Sequence, residues 1–225
     1  MKYTNPLTKA LKWQKAWFFL DDDVQHVMVS GISSTTSAPV YSVLDQRRQV
    51  GSVFTDTATV GKTKMQTVWH GDVGYLVLAS AKLTTEAASK TDRAFQTTFK
   101  SKIQKLRLNN VRNDEDVSAV FDGAHNTAMV VFWDASGGSV TFTEAGLPPF
   151  TLSANSNAAV IYKVDSGEIT VTDPSQSLSS AKITVALGHG VPSSLPFLNK
   201  LPSKTLTFTL PQGGVAGQSA TQKLR

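Results

Sequence analysis

Apolar and polar residues alternate over short stretches along most of the chain. GEITVTDPSQ and KTLTFTLPQGG alternate strictly, which is typical of β-strands that have one buried and one solvated face. Other short runs are rich in β-branched and aromatic residues and are separated by clusters of Gly, Asn, Asp, Ser and Pro. These runs are VMVSGI, PVYSVL, TVWHGDVGYLVLAS, VSAVF, AMVVFW, SVTFTEA, FTLSA, AAVIYKV and AKITVAL. The pattern predicts an all-β protein, an antiparallel β-sandwich or barrel rather than a parallel α/β sheet.

Three segments interrupt this pattern. Residues 85–108 are charged and fit either a short helix or an irregular edge segment. GLPPF at 146–150 predicts a joint between an N-terminal sheet system, residues 1–145, and a smaller C-terminal one, residues 146–225. The loop at 188–204 holds three prolines, so we expect it to cross between strands.

Three consecutive aspartates, Asp21, Asp22 and Asp23, lie between the apolar runs WFFL and VQHVMV. Aspartate suits turns because its carboxylate accepts hydrogen bonds from nearby backbone N–H groups. A cation site of oxygen ligands would need further donors converging from elsewhere in the chain. The stretch therefore predicts the turn of a β-hairpin.

Composition narrows the classes of partner. The chain has no cysteine, so disulfides and thiolate metal sites are excluded, and its formal net charge is +5. This balance favours an acidic partner, a polyuronate or a nucleic acid, but is also common in proteins that have neither. The basic residues at 100–107 lack interleaved aromatic side chains, so we expect no nucleic acid. We also expect no membrane partner, because no apolar run is long enough to cross a bilayer and the start has no signal peptide.

The strongest candidates for ligand binding lie in VWHGDVGYLV, residues 68–77. Trp69, His70, Asp72 and Tyr75 combine a stacking surface with hydrogen-bonding groups, which suits a sugar ring. The same residues also describe a strand, a Gly-Asp turn and a returning strand. In LDQRRQV, Arg47 and Arg48 are further candidates, since an arginine can bind a carboxylate with two parallel hydrogen bonds.

Catalytic signatures are missing from the sequence. There is no phosphate-binding glycine loop, G-x-S-x-G or H-E-x-x-H motif. The four histidines, His26, His70, His125 and His189, are scattered, and each is interpreted as structural or exposed. We expect no metal site and no cofactor, and we assign no catalytic residue.

Several stretches in the right order resemble polysaccharide lyase family 8, which contains hyaluronate, chondroitin AC and xanthan lyases. WQKAWFFLDDDVQHVMVSGI is similar to the family segment in which an aromatic strand ends in acidic residues and an apolar strand runs on to Gly-Ile. VYSVLDQRRQ, VWHGDVGYLVL and NNVRNDEDVSAVFDGAHNTAMVVFW resemble the segments that follow, and ITVTDPSQ with AKITVAL resembles the C-terminal β domain. The resemblance implies an antiparallel β-supersandwich, partial and within residues 1–145, followed by a C-terminal lyase-type β-sandwich within 146–225.

The resemblance also implies what this stretch of chain does. The family's catalytic Asn, His, Tyr and Arg belong mainly to a helical (α/α) toroid that has no counterpart among these residues. We therefore predict a protein that binds an acidic polysaccharide and is not active alone. The alternatives are a stand-alone lectin, or a structural fragment of a β-eliminating lyase, which would expose an apolar patch and form a homo-oligomer or pack on a helical domain. Family members imply an extracellular location; a stand-alone lectin would be cytoplasmic.

Overall fold

The computed structural model describes residues 1–41, 43, 51–60, 63–71, 73–78, 108–144, 146–188 and 202–224. Strands and one short 3-10 helix are the regular elements of these ranges, so the all-β prediction is confirmed. The segment predicted at 85–108 lies outside the described residues except for its last one, as does most of the loop at 188–204. Nowhere in the described ranges is there a helix with the length and hydropathy needed to cross a membrane.

Sixteen strands and the 3-10 helix follow one another along the described chain. The first eight are β1 (Lys2–Thr4), β2 (Leu11–Phe19), β3 (Gln25–Ser34), β4 (Phe54–Val60), β5 (Thr63–His70), β6 (Val73–Leu78), β7 (Leu108–Asn113) and β8 (Val117–Asp122). The rest are β9 (Thr127–Phe132), β10 (Gly138–Phe142), β11 (Phe150–Ala154), β12 (Ala158–Lys163), β13 (Glu168–Thr172), β14 (Ser180–Leu187), β15 (Ser203–Thr209), the 3-10 helix (Gly213–Val215) and β16 (Ala220–Lys223).

The chain forms two compact units. The first contains Met1–Ala38 and Asn110–Arg225, and the second contains Pro39–Asn109. The second unit holds an antiparallel sheet in the order β4-β5-β6, in which β5 and β6 form the hairpin that VWHGDVGYLV predicts. The first unit holds three sheets.

Two of these sheets form a β-sandwich. A six-stranded sheet in the order β16-β13-β12-β9-β8-β7 faces a four-stranded sheet in the order β10-β11-β14-β15. The alternate apolar residues of both sheets fill one core, which includes the packed rings of Phe121, Phe142, Phe150 and Tyr162. These rings lie 5.3 to 6.3 Å apart between centroids, the usual range for favourable aromatic pairs.

The predicted joint at 146–150 lies within this sandwich. It connects β10 to β11, which are antiparallel neighbours in the four-stranded sheet. Strands on both sides of residue 145 contribute to the same core. The end of residues 1–145 therefore coincides with a turn between neighbouring strands and not with a change of sheet.

The central hairpin of the six-stranded sheet, β8 and β9, is buried on both faces. Its odd-numbered β8 residues and even-numbered β9 residues face the sandwich core, while Ser118, Val120, Asp122, Met129 and Val131 face the other way. An antiparallel pair in which every position is buried must be covered on both sides. The second covering layer is the third sheet.

This third sheet has the order β1-β2-β3 and lies against the outer face of β8 and β9. The Lys2 ammonium donates a hydrogen bond to the carbonyl of Trp133, and Gln14 Nε2 donates to the carbonyl of Glu115 at 3.4 Å. Ala16 and Phe18 are buried on this inner side of β2. We call the connected strands β2 and β3 the aromatic hairpin.

Candidate functional site

The Trp69 region lies in the hairpin of β5 and β6 in the second unit. Val68 is paired with Tyr75 and Trp69 with Gly74, so Tyr75 shares a face with Val68 and His70, and Trp69 points to the opposite face. His70 is buried, whereas Trp69 and Tyr75 are half-buried. The hairpin therefore brings His70 and Tyr75 to one side and Trp69 to the other.

The remaining predicted binding residues, Asp72, Arg47 and Arg48, lie outside the described residues. One face of the hairpin cannot present Trp69 together with His70 and Tyr75 to a single sugar. As a binding site for carbohydrate, this set of residues stays a prediction.

A more exposed group of aromatic side chains lies on the aromatic hairpin. Successive odd residues of β2 point away from β8 and β9, and β1 and β3 add neighbours on the same side. We call this surface the outer aromatic face; its members are Tyr3, Trp13, Lys15, Trp17, Phe19 and Val27. Trp17, Phe19 and Val27 are 43%, 67% and 45% exposed. Large apolar side chains that are this exposed and adjacent are unusual on a soluble surface unless they meet a partner.

The rings of this face are ordered along the strand. Tyr3 and Trp13 stack at 5.2 Å between centroids, with an angle of 23° between their planes. Trp17 and Phe19 follow on the same face of β2, and residues two apart on a strand are separated by about 7 Å. Lys15 Nζ lies 5.0 Å from the centroid of the Trp17 ring, within the range of a cation–π contact. Flat apolar surface and a positive charge are thus adjacent.

The three aspartates form the turn of the aromatic hairpin, as predicted. The backbone N–H of Leu20 donates to the carbonyl of Val24 at 2.9 Å, which closes the loop. Asp22 and Asp23 adopt the left-handed backbone region, with φ of 60° and 57°. Aspartate is among the few non-glycine residues that tolerate this conformation, so a run of aspartates fits the turn.

Two histidines that are far apart in sequence meet at one carboxylate. His26 Nε2 lies 3.2 Å and His125 Nδ1 2.9 Å from Asp122 Oδ2, and the Asp122 side chain is fully buried. Asp122 Oδ1 accepts the backbone N–H of Ala124 at 3.0 Å. His26 and His125 are scattered in sequence, but the packing of the aromatic hairpin on β8 brings them together in a structural contact.

The carboxyl group of Asp122 is held ionised by these contacts. Burial raises its pKa, but the hydrogen bonds and charges of His26 and His125 outweigh burial, so the net pKa lies below its ordinary value. On its outer side, His125 Nε2 is 3.7 Å from Asp22 Oδ2 in the aspartate turn. The network therefore connects β3, the aspartate turn and the β8–β9 turn around one buried anion.

These acidic and histidine side chains do not form a metal centre. Among the described residues, no group of three or more His, Asp or Glu side chains has an arrangement that could hold a metal ion. The Asp122 carboxylate is already occupied by hydrogen-bond donors. The arrangement is suited to joining elements, and the outer aromatic face is suited to contact with a ligand.

The sequence contains local signals for the outer aromatic face and for the contact between Asp122 and His125. The spacing W-x-x-x-W-x-F in β2 places three rings on one strand face. Asp122 and His125 are three residues apart in the β8–β9 turn, which is a spacing at which side chains meet. Nothing in the sequence around His26 indicates its contact with Asp122, which is 96 residues away.

Comparison with solved structures relates this fold to two lyases. A chondroitinase AC lyase, studied as enzyme–oligosaccharide complexes, is 15% identical with a TM-score of 0.57, over 98% of this chain and 37% of that chain. A xanthan lyase of Paenibacillus is 17% identical with a TM-score of 0.58, over 98% of this chain and 26% of that chain. The chain thus spans about a third of one lyase and a quarter of the other, and the likeness concerns the fold. No match was found among curated proteins.

Two family models match consecutive parts of the sequence. The super-sandwich domain of polysaccharide lyase family 8 matches residues 1–112, which include the aromatic hairpin and the hairpin of β5 and β6. The C-terminal β-sandwich domain of the same family matches residues 111–182, which include β8, β9 and most of the sandwich. Together the two matches cover residues 1–182 in the order of the family's domains, and the chain belongs to polysaccharide lyase family 8.

Proposed function

We propose that this chain binds an acidic polysaccharide through the outer aromatic face. One observation carries the proposal: Trp17 and Phe19 are exposed side by side on one strand face, with the Lys15 ammonium next to them. The apolar C–H face of a sugar ring packs on an aromatic ring, and an ammonium can pair with a uronate carboxylate. A row of rings with an adjacent cation suits a chain of acidic sugars.

Two further observations support an acidic polysaccharide as the ligand. The family to which the chain belongs is one of polysaccharide lyases. The chain also carries a formal net charge of +5, which attracts polyanions over longer distances. A neutral sugar would use the rings but not the charge of Lys15.

The experiment is binding of the full chain to hyaluronan, chondroitin, alginate and xanthan, measured by calorimetry or by a glycan array. The variant Trp17→Ala should weaken binding by about tenfold or more, because loss of an aromatic hot spot costs about 2 kcal/mol or more and about 1.4 kcal/mol already corresponds to tenfold. The matched control is Tyr41→Ala, which removes another exposed ring, 75% accessible, outside this face. Equal loss in both variants, or no binding to any of the four polymers, would reject the proposal.

Lys15→Gln tests the preference for acidic sugars. The variant should bind uronate polymers more weakly and with less dependence on salt, while binding to a neutral glycan should hardly change. If Lys15→Gln has the same affinity and salt dependence as the wild type, the charge of Lys15 has no part in recognition.

The hairpin of β5 and β6 is the alternative location for the same function, as a stand-alone lectin. The variant Trp69→Ala tests this location. If Trp69→Ala loses polysaccharide binding while Trp17→Ala binds like the wild type, the binding site lies at Trp69 and its neighbours. Folding of each variant is checked by circular dichroism, because Trp69 is half-buried.

We also infer that the chain binds without cleaving. β-Elimination requires a base at the uronate C5 proton and neutralisation of the carboxylate, and no catalytic residue of the family carries over to this sequence. Incubation of purified protein with the four polymers should give no rise in the absorbance of unsaturated uronate products. Steady turnover would contradict this inference.

A second function is favoured by the apolar character of the same surface. Trp17, Phe19 and Val27 would also suit packing against another part of a longer lyase, such as a helical domain, or against a second copy of the chain. This alternative predicts concentration-dependent association that Phe19→Glu abolishes, measured by light scattering. A monomer that binds polysaccharide would favour the first function. Polysaccharide binding and packing within a longer lyase both predict an extracellular location. A stand-alone lectin predicts a cytoplasmic one.

A further inference from the structure

We propose that Asp122, together with His26 and His125, forms an acid-sensitive anchor that fixes the aromatic hairpin to the C-terminal sandwich. Release of this anchor frees the hairpin while the sandwich stays folded. The anchor concerns the attachment of β2 and β3, so its existence does not depend on sugar binding. Only its effect on affinity rests on the function proposed above.

The geometry joins two distant parts of the chain at one oxygen. His26 belongs to β3, His125 lies in the turn after β8, and both contact Oδ2 of Asp122 at the end of β8. An imidazole can donate one N–H to an ionised carboxylate whether it is neutral or protonated. The contact of β3 with β8 therefore persists as long as Asp122 carries its charge.

Further charged groups lie around the anchor, in the aspartate turn and in β12, β13 and the turn between them. Asp22 faces His125 from the aspartate turn at 3.7 Å. Asp21, from the same turn, faces Lys163 Nζ of β12 at 3.4 Å, and the same ammonium lies 4.0 Å from Glu168 of β13. Asp165 accepts hydrogen bonds from the side chain of Asn126 in the β8–β9 turn. The outer pairs are exposed, so water screens them more strongly than it screens the buried Asp122.

Acid removes the charge on which the anchor depends. Although burial raises the pKa of Asp122, its two histidine partners lower it below the ordinary value of 3.8. A carboxyl group with a lowered pKa in the folded state stabilises that state above its unfolded pKa. This contribution is lost as the pH falls through the folded pKa. As the carboxyl group becomes neutral, its charge-assisted hydrogen bonds with His26 and His125 weaken.

The hairpin is the part that should leave first. Among the described residues, every member of the sandwich core lies between Val117 and Leu224, and the aromatic hairpin contributes none of them. The buried apolar residues on the inner side of β2 are only Ala16 and Phe18. Elements with few buried apolar contacts open at lower free energy than the core they cover.

Hydrogen exchange at neutral pH tests the anchor without any glycan. Asp122→Asn removes the charge and keeps the size of the side chain. Amides of Leu11–Phe19 and Gln25–Ser34 should exchange roughly tenfold to a hundredfold faster, because hydrogen bonds to a charged group are lost. Amides of Ala158–Lys163 in the sandwich should keep their wild-type rates. The matched control, Asp116→Asn, makes the same charge change at an exposed site and should leave both regions unchanged.

Conservative variants separate the hydrogen bonds from simple packing. The amide nitrogen of Gln occupies the place of His Nε2, so His26→Gln should restore most of the protection that His26→Leu removes. The amide of Asn occupies the place of Nδ1, so His125→Asn should restore protection relative to His125→Leu. A purely space-filling role would make Leu as good as Gln or Asn at these positions.

An acid titration of the wild type completes the test. Amide signals of the aromatic hairpin should change at a higher pH than those of Ala158–Lys163, and Asp122→Asn should show no hairpin transition in acid. Unchanged exchange in Asp122→Asn at neutral pH, or loss of hairpin and sandwich at the same pH, would overturn the anchor. Unchanged exchange would leave the proposed sugar binding intact, and absence of sugar binding would leave the anchor intact.

Discussion

Substitution of Gly137 by alanine should destabilise the C-terminal sandwich through a direct collision. Gly137 ends the turn between β9 and β10, where its N–H donates to the carbonyl of Asp134 at 3.0 Å. Its φ is +79°, in the left-handed region that side chains other than glycine's rarely adopt. A Cβ atom at this position would lie 2.7 Å from the backbone carbon of Ala154 and 2.7 Å from the backbone nitrogen of Ser156.

Two costs add in this variant. The left-handed conformation costs an L-residue about 1–2 kcal/mol. Relief of the collision requires a shift of backbone in β11, and overpacking of this kind costs about 1–3 kcal/mol. The expected loss is therefore about 2–5 kcal/mol in the free energy of unfolding. At about 4 °C per kcal/mol for a domain of this size, the melting temperature of the sandwich should fall by roughly 8–20 °C.

Gly146→Ala is the matched control. Gly146 has a similar φ of +85°, but an added Cβ would meet no atom within 4 Å. It carries the conformational cost alone, so the difference between the two variants isolates the collision. The assay is thermal and urea unfolding followed by tryptophan fluorescence, in which Trp133, fully buried in the first unit, reports on the sandwich. Equal losses in Gly137→Ala and Gly146→Ala, within about 0.5 kcal/mol, would refute the close approach of the turn to β11.

Three further substitutions test the sandwich. Burial raises the pKa of Tyr162 to about 12, and its hydroxyl has no hydrogen-bond partner among the described residues. Tyr162→Phe should therefore leave the free energy of unfolding unchanged or raise it by about 1 kcal/mol. A clear decrease of this free energy in urea unfolding would show that the hydroxyl has a partner. Trp133 Nε1 donates to Ser118 Oγ at 2.9 Å, so Ser118→Ala should cost about 1–3 kcal/mol, and an unchanged melting curve would contradict this bond. Burial raises the pKa of Asp173, but hydrogen bonds from Leu178 and neighbouring residues lower it below its ordinary value. The ionised Asp173 side chain therefore stabilises the fold at neutral pH, and this contribution is lost as the pH falls through the folded pKa. The difference in unfolding free energy between wild type and Asp173→Asn should therefore shrink in acid; a difference independent of pH would show that the charge is not responsible.

Local rules of the sequence are sufficient for much of the fold. Alternation predicts the strands that have one wet face, such as β13 and β15, because the period of a strand is two residues. The strands β8 and β9 have no alternation, and here the short apolar runs VSAVF and AMVVFW indicate burial on both faces. The aspartate turn follows from the backbone preferences of a single residue type.

The features that join distant parts of the chain do not follow from local rules. His26 and Asp122 meet because the aromatic hairpin packs on β8, and neither residue has a neighbour in sequence that indicates this contact. The face of β2 that points outward is also not decided by hydrophobicity. Trp17 and Phe19 are more apolar as a pair than the inner residues Ala16 and Phe18, and yet they are the more exposed. Tertiary packing, which the sequence pattern does not reveal, selects the inner face.

The double burial of β8 and β9 has a consequence for how this chain can be divided. A fragment that began at residue 111, where the C-terminal family match starts, would keep the sandwich core but lose the sheet of β1, β2 and β3. Val120, Met129 and Val131, which are buried on that side, would then lose part of their cover. The parts of the chain matched by the two family domains thus bury the same strands. A truncation at the sequence boundary would expose apolar side chains and produce an aggregation-prone fragment instead of an independent domain.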